Sequence, residues 1–260
     1  MRTRFELVLQ GGDAVSLRAA GEEALHEIAE AERLLSRFRR DAVVAHVNRE
    51  PAQRAVPVPP ALRALLARCR AVHASSEGAF DPTATADGAR LAMDGLSQVA
   101  CDEEGRVRFL RADVTLDFGG VGKGYALDRA ADVLEDAGIA HALLHGGTST
   151  VLALGPRADG RPWPLGVPDP DVPDGPLAWR GELDRCALSV SSSAHVPSLA
   201  ASARAAGDGH SAAGGRTRVA VARVPFAADS RSGDEGARAD AWSTALVAAG
   251  HQDLEIRDCA

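Results

Sequence analysis

The sequence predicts an α+β fold, in which antiparallel sheets carry packed helices, as a single domain over residues 1–260. Three observations lead there. Strand-like and helix-like segments come in blocks, without the strict alternation that a doubly wound parallel sheet needs. A glycine-rich turn from Gly119 to Gly124 joins a strand-like run to a helix-like one. The chain has 260 residues, 45% of them hydrophobic, enough to bury a substantial core.

The elements follow in order. Thr3–Leu9 and Ala14–Ala19 read as two short strands joined at Gly11-Gly12-Asp13. From Glu22 to Arg39, Leu25, Ile28, Ala31, Leu35 and Phe38 recur at helical spacing. Pro51–Pro60 is a turn-rich connection, and Pro60 suits the first turn of a helix carrying Leu62, Leu65, Leu66, Cys69 and Val72. Asp81-Pro82 has the pattern of a helix start, with a capping carboxylate before a proline. Arg106–Leu110 and Val114–Phe118 read as strands of a second hairpin region.

Tyr125–Ala137 is helical by its period, and Gly138 stops it. His141–Leu144 and Thr150–Leu154 read as strands around Gly146-Gly147. The prolines from Pro156 to Pro176 point to irregular or edge structure. Ala187–Val190 is a strand running into Ser191-Ser192-Ser193, Ala200–Gly215 a small-residue stretch, and Arg218–Val224 a further strand. Ala227–Glu235 is a polar loop, and Ala237–Ala249 a last helix closed by Gly250.

Composition narrows the function. A net charge of −7 argues against a nucleic-acid partner, which calls for a basic face. No apolar run is long enough to span a bilayer, and Met1–Phe5 lacks the apolar stretch of a signal peptide, so a cytoplasmic protein is expected. Cys69, Cys101, Cys186 and Cys259 are far apart, which suits reduced thiols better than a zinc site or a disulfide framework. Ser189–Ser193 lack a nucleophile elbow and read as a polar strand end, not as a serine hydrolase site.

Two motifs carry chemistry. In Leu116–Tyr125, a strand delivers Asp117 into a turn of small residues that opens a helix, and Lys123, the only lysine of the chain, lies in that turn. Glycines there let backbone groups approach a phosphate or a metal, and a helix N-terminus favours an anion. A turn needing glycine for geometry alone has the same pattern. It is neither a P-loop nor a dinucleotide fingerprint, since Gly124 follows the lysine and Tyr125 replaces the third glycine. In the second motif Asp240, Ser243 and Thr244 share one helix face at i, i+3 and i+4. A carboxylate with hydroxyls suits a hard cation such as Mg²⁺, although the same three residues also suit a helix start with hydroxyls bonding back to the preceding turn. His145, beside Gly146-Gly147, and His210 are available for acid–base work or for solvent.

Taken in order, several segments resemble the FAD:protein FMN transferase family, the ApbE type. They are Ser36-Arg37-Phe38 with Asn48, Gly78–Thr83, Asp117–Asp128, His145-Gly146-Gly147, Ser189–Ser192 and Ala239–Leu246. The resemblance implies that FAD binds with Mg²⁺ on its pyrophosphate, that a Thr or Ser hydroxyl of a partner protein attacks the FMN phosphorus, and that AMP leaves. It implies metal-side roles for Asp240, Ser243, Thr244 and the Gly120 carbonyl. Asp117 and Lys123 would hold FAD. Phe38 stands where the family has an aromatic that contacts the flavin, and Met93 lies in its flavin-contacting segment, here reduced to Leu91–Gly95. His210 matches the histidine of the family's "HiiDPrtG" block, but Ser211–Arg216 follow it without Asp-Pro, and Ala42 replaces an early serine. Two other readings keep the same site: FAD hydrolysis with water as acceptor, and a flavin-binding protein without transfer chemistry.

Overall fold

Along the chain run β1 (Phe5–Gln10), α1 (Ala14–Leu35), α2 (Val43–Arg49), β2 (Val56–Pro57), α3 (Pro60–Ser75), β3 (Thr83–Ala84), a 3₁₀ turn (Leu96–Gln98), β4 (Val99–Cys101), β5 (Arg106–Phe109) and β6 (Thr115–Leu116). Then come α4 (Gly122–Asp136), β7 (His141–Gly146), β8 (Thr150–Ala153), β9 (Trp163–Pro168), β10 (Leu177–Leu183), β11 (Cys186–Ser192), β12 (Val219–Pro225), α5 (Glu235–Ala248) and β13 (Ile256–Asp258). The structure is a computed structural model and describes residues 3–85, 88–89, 91, 94–169, 171–172, 175–192, 219–227, 233–249 and 256–258.

Six strands form the main sheet in the order β1-β7-β8-β11-β12-β13. Its pairs are antiparallel except β12–β13. The expected α+β class holds. Strand side chains alternate between faces, and the sheet is apolar on both. Leu144, Leu152 and Ala187 pack in one core with Ile28, Ala31, Leu127 and Leu134 of α1 and α4. Leu143, Val151 and Leu188 pack on the opposite face with Trp163 and Leu183 of the β9–β10 ribbon. Two small sheets, β2-β5-β4 and β3-β6, lie outside this layering.

Several expectations need correction. The second strand at Ala14–Ala19 is the start of α1, which runs 22 residues. Asp13 caps it, with Oδ1 accepting from Val15 N at 3.0 Å and Ser16 N at 3.1 Å, and Val15 faces solvent instead of a sheet. The same helix ends at Leu35, short of Phe38, because the Ser36 hydroxyl accepts from Phe38 N at 3.3 Å and Arg39 N at 3.2 Å. α2 is a helix that periodicity did not reveal, only seven residues long.

Asp81-Pro82 starts no helix. Asp81 Oδ1 accepts from Thr83 N, as a cap would, but Thr83 and Ala84 are held extended by pairing with Leu116 and Thr115. Arg106–Leu110 and Val114–Phe118 are not partners either, since β5 pairs with β2 and β4, and β6 with β3. The proline-rich stretch after Leu154 contains a two-stranded ribbon, separate from the main sheet. Cys69 and Cys186 are buried free thiols and Cys101 an exposed one, with burial pushing the Cys69 thiol up to about 12. Ala200–Gly215 and Cys259 lie outside the described residues. Among the described residues, no helix is long and apolar enough to cross a membrane.

Candidate functional site

The two motifs meet. α5 lies against α4 and against the helix-facing side of β11 and β8, so Asp240 points into the junction and is only 1% exposed. Its Oδ2 accepts from Gly124 N at 3.2 Å. Its Oδ1 accepts from the Thr150 hydroxyl at 3.2 Å and the Ser189 hydroxyl at 3.1 Å, and the Lys123 ammonium lies 3.3 Å from the same oxygen. Thr150 and Ser189 stand opposite each other across β8 and β11. Register therefore delivers both hydroxyls to one carboxylate oxygen.

A line of hydroxyls leads from the solvent side to this carboxylate. Ser191 and Ser243 share a hydrogen bond of 2.8 Å, and Ser243 donates to Ser189 at 3.2 Å or to the Asp240 carbonyl at 3.0 Å. Thr244 Oγ1 lies 3.3 Å from the Gly120 carbonyl and 3.0 Å from the Asp240 carbonyl. Gly120 and Thr244 are closely packed, since a Cβ on Gly120 would stand 3.0 Å from the Thr244 side chain. Gly120, Lys123, Asp240, Ser243 and Thr244 are thus brought into one cluster. Thr150, Ser189 and Ser191 join it.

Asp117 stands one turn away. Its Oδ1 accepts from Gly119 N at 2.9 Å, shaping the glycine turn, and its Oδ2 accepts from Arg37 at 3.1 Å. The Ser36 turn sends Arg37 inward and Phe38 outward. Phe38 is 77% exposed and does not line the cavity described next; instead the Arg37 guanidinium lies over its ring at 4.9 Å. Asn48 fixes the approach to Asp117 by pairing with both backbone groups of one β6 residue, donating to Leu116 O at 2.9 Å and accepting from Leu116 N at 2.8 Å. Asp81 ties two loops together, since Oδ1 accepts from the Thr83 hydroxyl at 2.6 Å and Oδ2 from Gly95 N at 2.9 Å and Leu96 N at 3.3 Å.

Beside these residues lies a cavity of about 910 Å³, at the upper end of the roughly 300–1,000 Å³ usual for small-molecule sites. Its polar end includes Asp81, Asp117, Gly119, Gly120, Lys123, Ser191 and Thr244. It continues past the β7–β8 turn, Gly147 to Ser149, to an apolar end formed by Val151, Leu188 and Val190 with Leu165 and Val167 of β9. His145 and Glu6, opposite each other across β7 and β1, also line it. Burial pushes the His145 imidazole down, against the pull of Glu6. Met93 and His210 lie outside the described residues.

The oxygens around Asp240 suit a hard cation. Among the described residues they comprise one buried carboxylate, the Ser243 and Thr244 hydroxyls, the hydroxyls of Thr150 and Ser189 and the Gly120 carbonyl, with no sulfur or imidazole among them. An ammonium already stands against the carboxylate. The wider lining carries Glu6, Asp81, Asp117 and Asp169 against Lys123, a balance that receives a polyanion best together with a cation.

Sequence reasoning missed Arg37, Asn48's grip on β6, Thr150, and the role of Ser189 and Ser191. Their signals are pairings across 50 residues or more, with 80 between Arg37 and Asp117 and 68 between Asn48 and Leu116.

A family model described as the ApbE family matches residues 1–89 and 86–256. A FAD:protein FMN transferase of Klebsiella pneumoniae (strain 342) is 25% identical over 194 residues, 65% of this chain and 55% of that protein. The chain therefore matches little more than half the length of that curated relative. Two solved structures share the fold. One is the apo form of the flavinyl transferase ApbE of Pseudomonas stutzeri, with TM-score 0.69, 22% identity, and 94% of this chain and 80% of that one covered. The other is the ApbE protein of Thermotoga maritima msb8, with TM-score 0.70, 21% identity, and coverage of 96% and 88%.

Proposed function

The chain belongs to the ApbE family, and from that premise we propose that it is a FAD:protein FMN transferase, acting as one flavin transferase unit over residues 1–260. In this reading FAD lies in the 910 Å³ cavity. A Thr or Ser hydroxyl of an acceptor protein forms a new bond to the FMN phosphorus, the bond to the AMP oxygen breaks, and AMP leaves. The observation that carries the reading is that Gly120, Lys123 and Thr244 line the polar end of that cavity, with Asp240 directly behind it, held to Lys123 and Thr244, and Ser243 bonded to Asp240 in turn.

The residues divide the work. The apolar end, Val151, Leu165, Val167, Leu188 and Val190, takes a planar ring system out of water. The start of α4 turns its positive dipole end toward the pyrophosphate. Lys123 adds a point charge there, and Arg37, by holding Asp117, fixes the shape of the glycine turn. Asp240, Ser243, Thr244 and the Gly120 carbonyl would hold Mg²⁺. That ion, when bound, supplies charge neutralisation on the pyrophosphate and the departing phosphate. His210 is assigned as the acceptor of the hydroxyl proton.

The test is AMP release from FAD, measured with and without Mg²⁺ and with and without a threonine-containing acceptor protein. Transfer predicts AMP that depends on both, together with covalent flavin on the acceptor, and Asp240→Ala should abolish it with the fold retained. AMP formed equally without acceptor would replace transfer by hydrolysis. FAD binding without AMP in any condition would make the chain a flavin-binding protein.

A further inference from the structure

We propose that Asp128 is a positioning residue for the metal-side carboxylate: with Asp240 it forms a reciprocal clamp in which each carboxylate caps the other one's helix. The inference rests on the metal reading of Asp240 for its functional consequence, but the clamp itself is visible in the geometry.

Neither helix starts with a side-chain cap of its own. Val121 precedes α4 and Asp234 precedes α5, and neither side chain bonds to the first turn. The first-turn amides of a helix have no partner within it. Here three of them find partners across the helix pair. Gly236 N donates to Asp128 Oδ1 at 2.7 Å and Ala237 N to Asp128 Oδ2 at 2.8 Å. In return Gly124 N donates to Asp240 Oδ2 at 3.2 Å. Both carboxylates sit in the second turn of their own helix and serve the first turn of the other.

Sterics lock the same contact. A Cβ on Gly124 would lie 1.9 Å from the Gly236 carbonyl oxygen, and one on Gly236 would lie 2.6 Å from the Gly124 carbonyl and from Asp128 Oδ1. The helices therefore touch backbone to backbone, with no side chain between them to absorb a shift. Gly236 is one turn from Asp240, so displacement of the α5 start carries Asp240 with it. Asp128 is 2% exposed and does not line the cavity that Gly120, Lys123 and Thr244 line, so its influence runs through α5.

The test uses two substitutions, Asp128→Asn and Asp128→Ser, so that one remains informative if the other folds poorly. Asparagine keeps the shape but turns a donor toward one of the two amides, while serine takes both acceptor oxygens away from them. Leu246→Ala is the control. It hollows the apolar contact of α5 with Ala220 and Ala222 and lowers stability without touching the clamp. Amide exchange at Gly124 and Mn²⁺ or Mg²⁺ affinity by calorimetry without FAD are compared with the melting temperature. The Asp128 variants should lose protection at Gly124 and roughly 10–100-fold in metal affinity, the range for outer-shell partners. The control should lose only melting temperature. Asp128 variants that melt earlier with unchanged Gly124 exchange and metal affinity would overturn the proposal and leave Asp128 as a cap for stability alone. If the wild-type protein binds neither ion, the metal reading fails by itself, and Gly124 exchange still decides the clamp.

Discussion

Replacing Lys123 with methionine removes the one ammonium that faces the buried Asp240 carboxylate, 3.3 Å away. At that distance, and with an effective dielectric of about 20, the gross attraction is about 5 kcal/mol. Removing one partner of a buried pair typically costs roughly 3–5 kcal/mol. Two facts lower the figure here. The Lys123 side chain is 23% exposed, and Asp240 keeps Gly124 N and the hydroxyls of Thr150 and Ser189. A net loss of about 2 kcal/mol is therefore expected, a fall of about 4–8 °C in melting temperature for a chain of this size. Methionine fills nearly the same apolar space as the lysine stem, so packing should contribute little. A divalent cation that stands in for the ammonium should restore the loss, since ligand at a hundred times Kd adds about 2.7 kcal/mol. Scanning calorimetry of both proteins with and without Mg²⁺ reads this directly. The variant should melt lower without Mg²⁺, bind Mg²⁺ more tightly than wild type, and gain more stability from it. Equal melting without metal, or weaker Mg²⁺ binding by the variant, would refute the view that lysine and cation compete for one carboxylate.

Two further outcomes follow from the same geometry. Burial depresses the His145 pKa below its ordinary value, so the neutral ring favours the folded state and its contribution is present above about pH 6.5. That contribution is lost as pH falls through the folded-state pKa. His145→Gln should flatten the acid side of the stability profile below about pH 6.5, measured as melting temperature against pH; an unchanged profile would place the ring in water. Ser189→Ala takes one donor from the buried Asp240 oxygen and should cost roughly 1.5–3 kcal/mol, the range for a hydrogen bond to a charged group, as read from urea unfolding. A loss below about 0.5 kcal/mol, less than even a neutral hydrogen bond contributes, would mean that Thr150 and Lys123 satisfy the oxygen alone.

What was legible in the sequence was local. α3 begins at Pro60 and buries Leu62, Leu65, Leu66, Cys69 and Val72 as its spacing demands. Gly138 ends the helix before it with φ +75°. Asp240, Ser243 and Thr244 share a helix face because four residues make about one turn, and they stand together in the site. The errors came where a local signal had a nonlocal competitor. Asp81 has the look of a cap, but β6 pulls Thr83 into a strand. Ser189 looked like a polar strand end because nothing nearby in sequence announces an aspartate 51 residues on. Phe38 continued a helical period that the Ser36 hydroxyl interrupts. Val15, Leu17 and Ala19 alternate like a strand, yet Asp13 had already started a helix.

The crossed caps also bear on how the chain acquires its shape. Starting a helix is the costly step in its formation, since several residues are fixed before the first bond forms. α4 and α5 lack a local side-chain cap, and the carboxylate that caps each comes from a residue 116 or 108 positions away. Contacts of such sequence separation form only after the intervening loop has closed, and they slow folding accordingly. The ends of these two helices should therefore remain frayed until they dock, and then order together. A polypeptide still emerging from the ribosome, with α4 made and α5 not yet made, has no partially built cluster around Gly124 to capture a stray ion or nucleotide. Competence arrives in one late, cooperative event instead of accumulating by degrees.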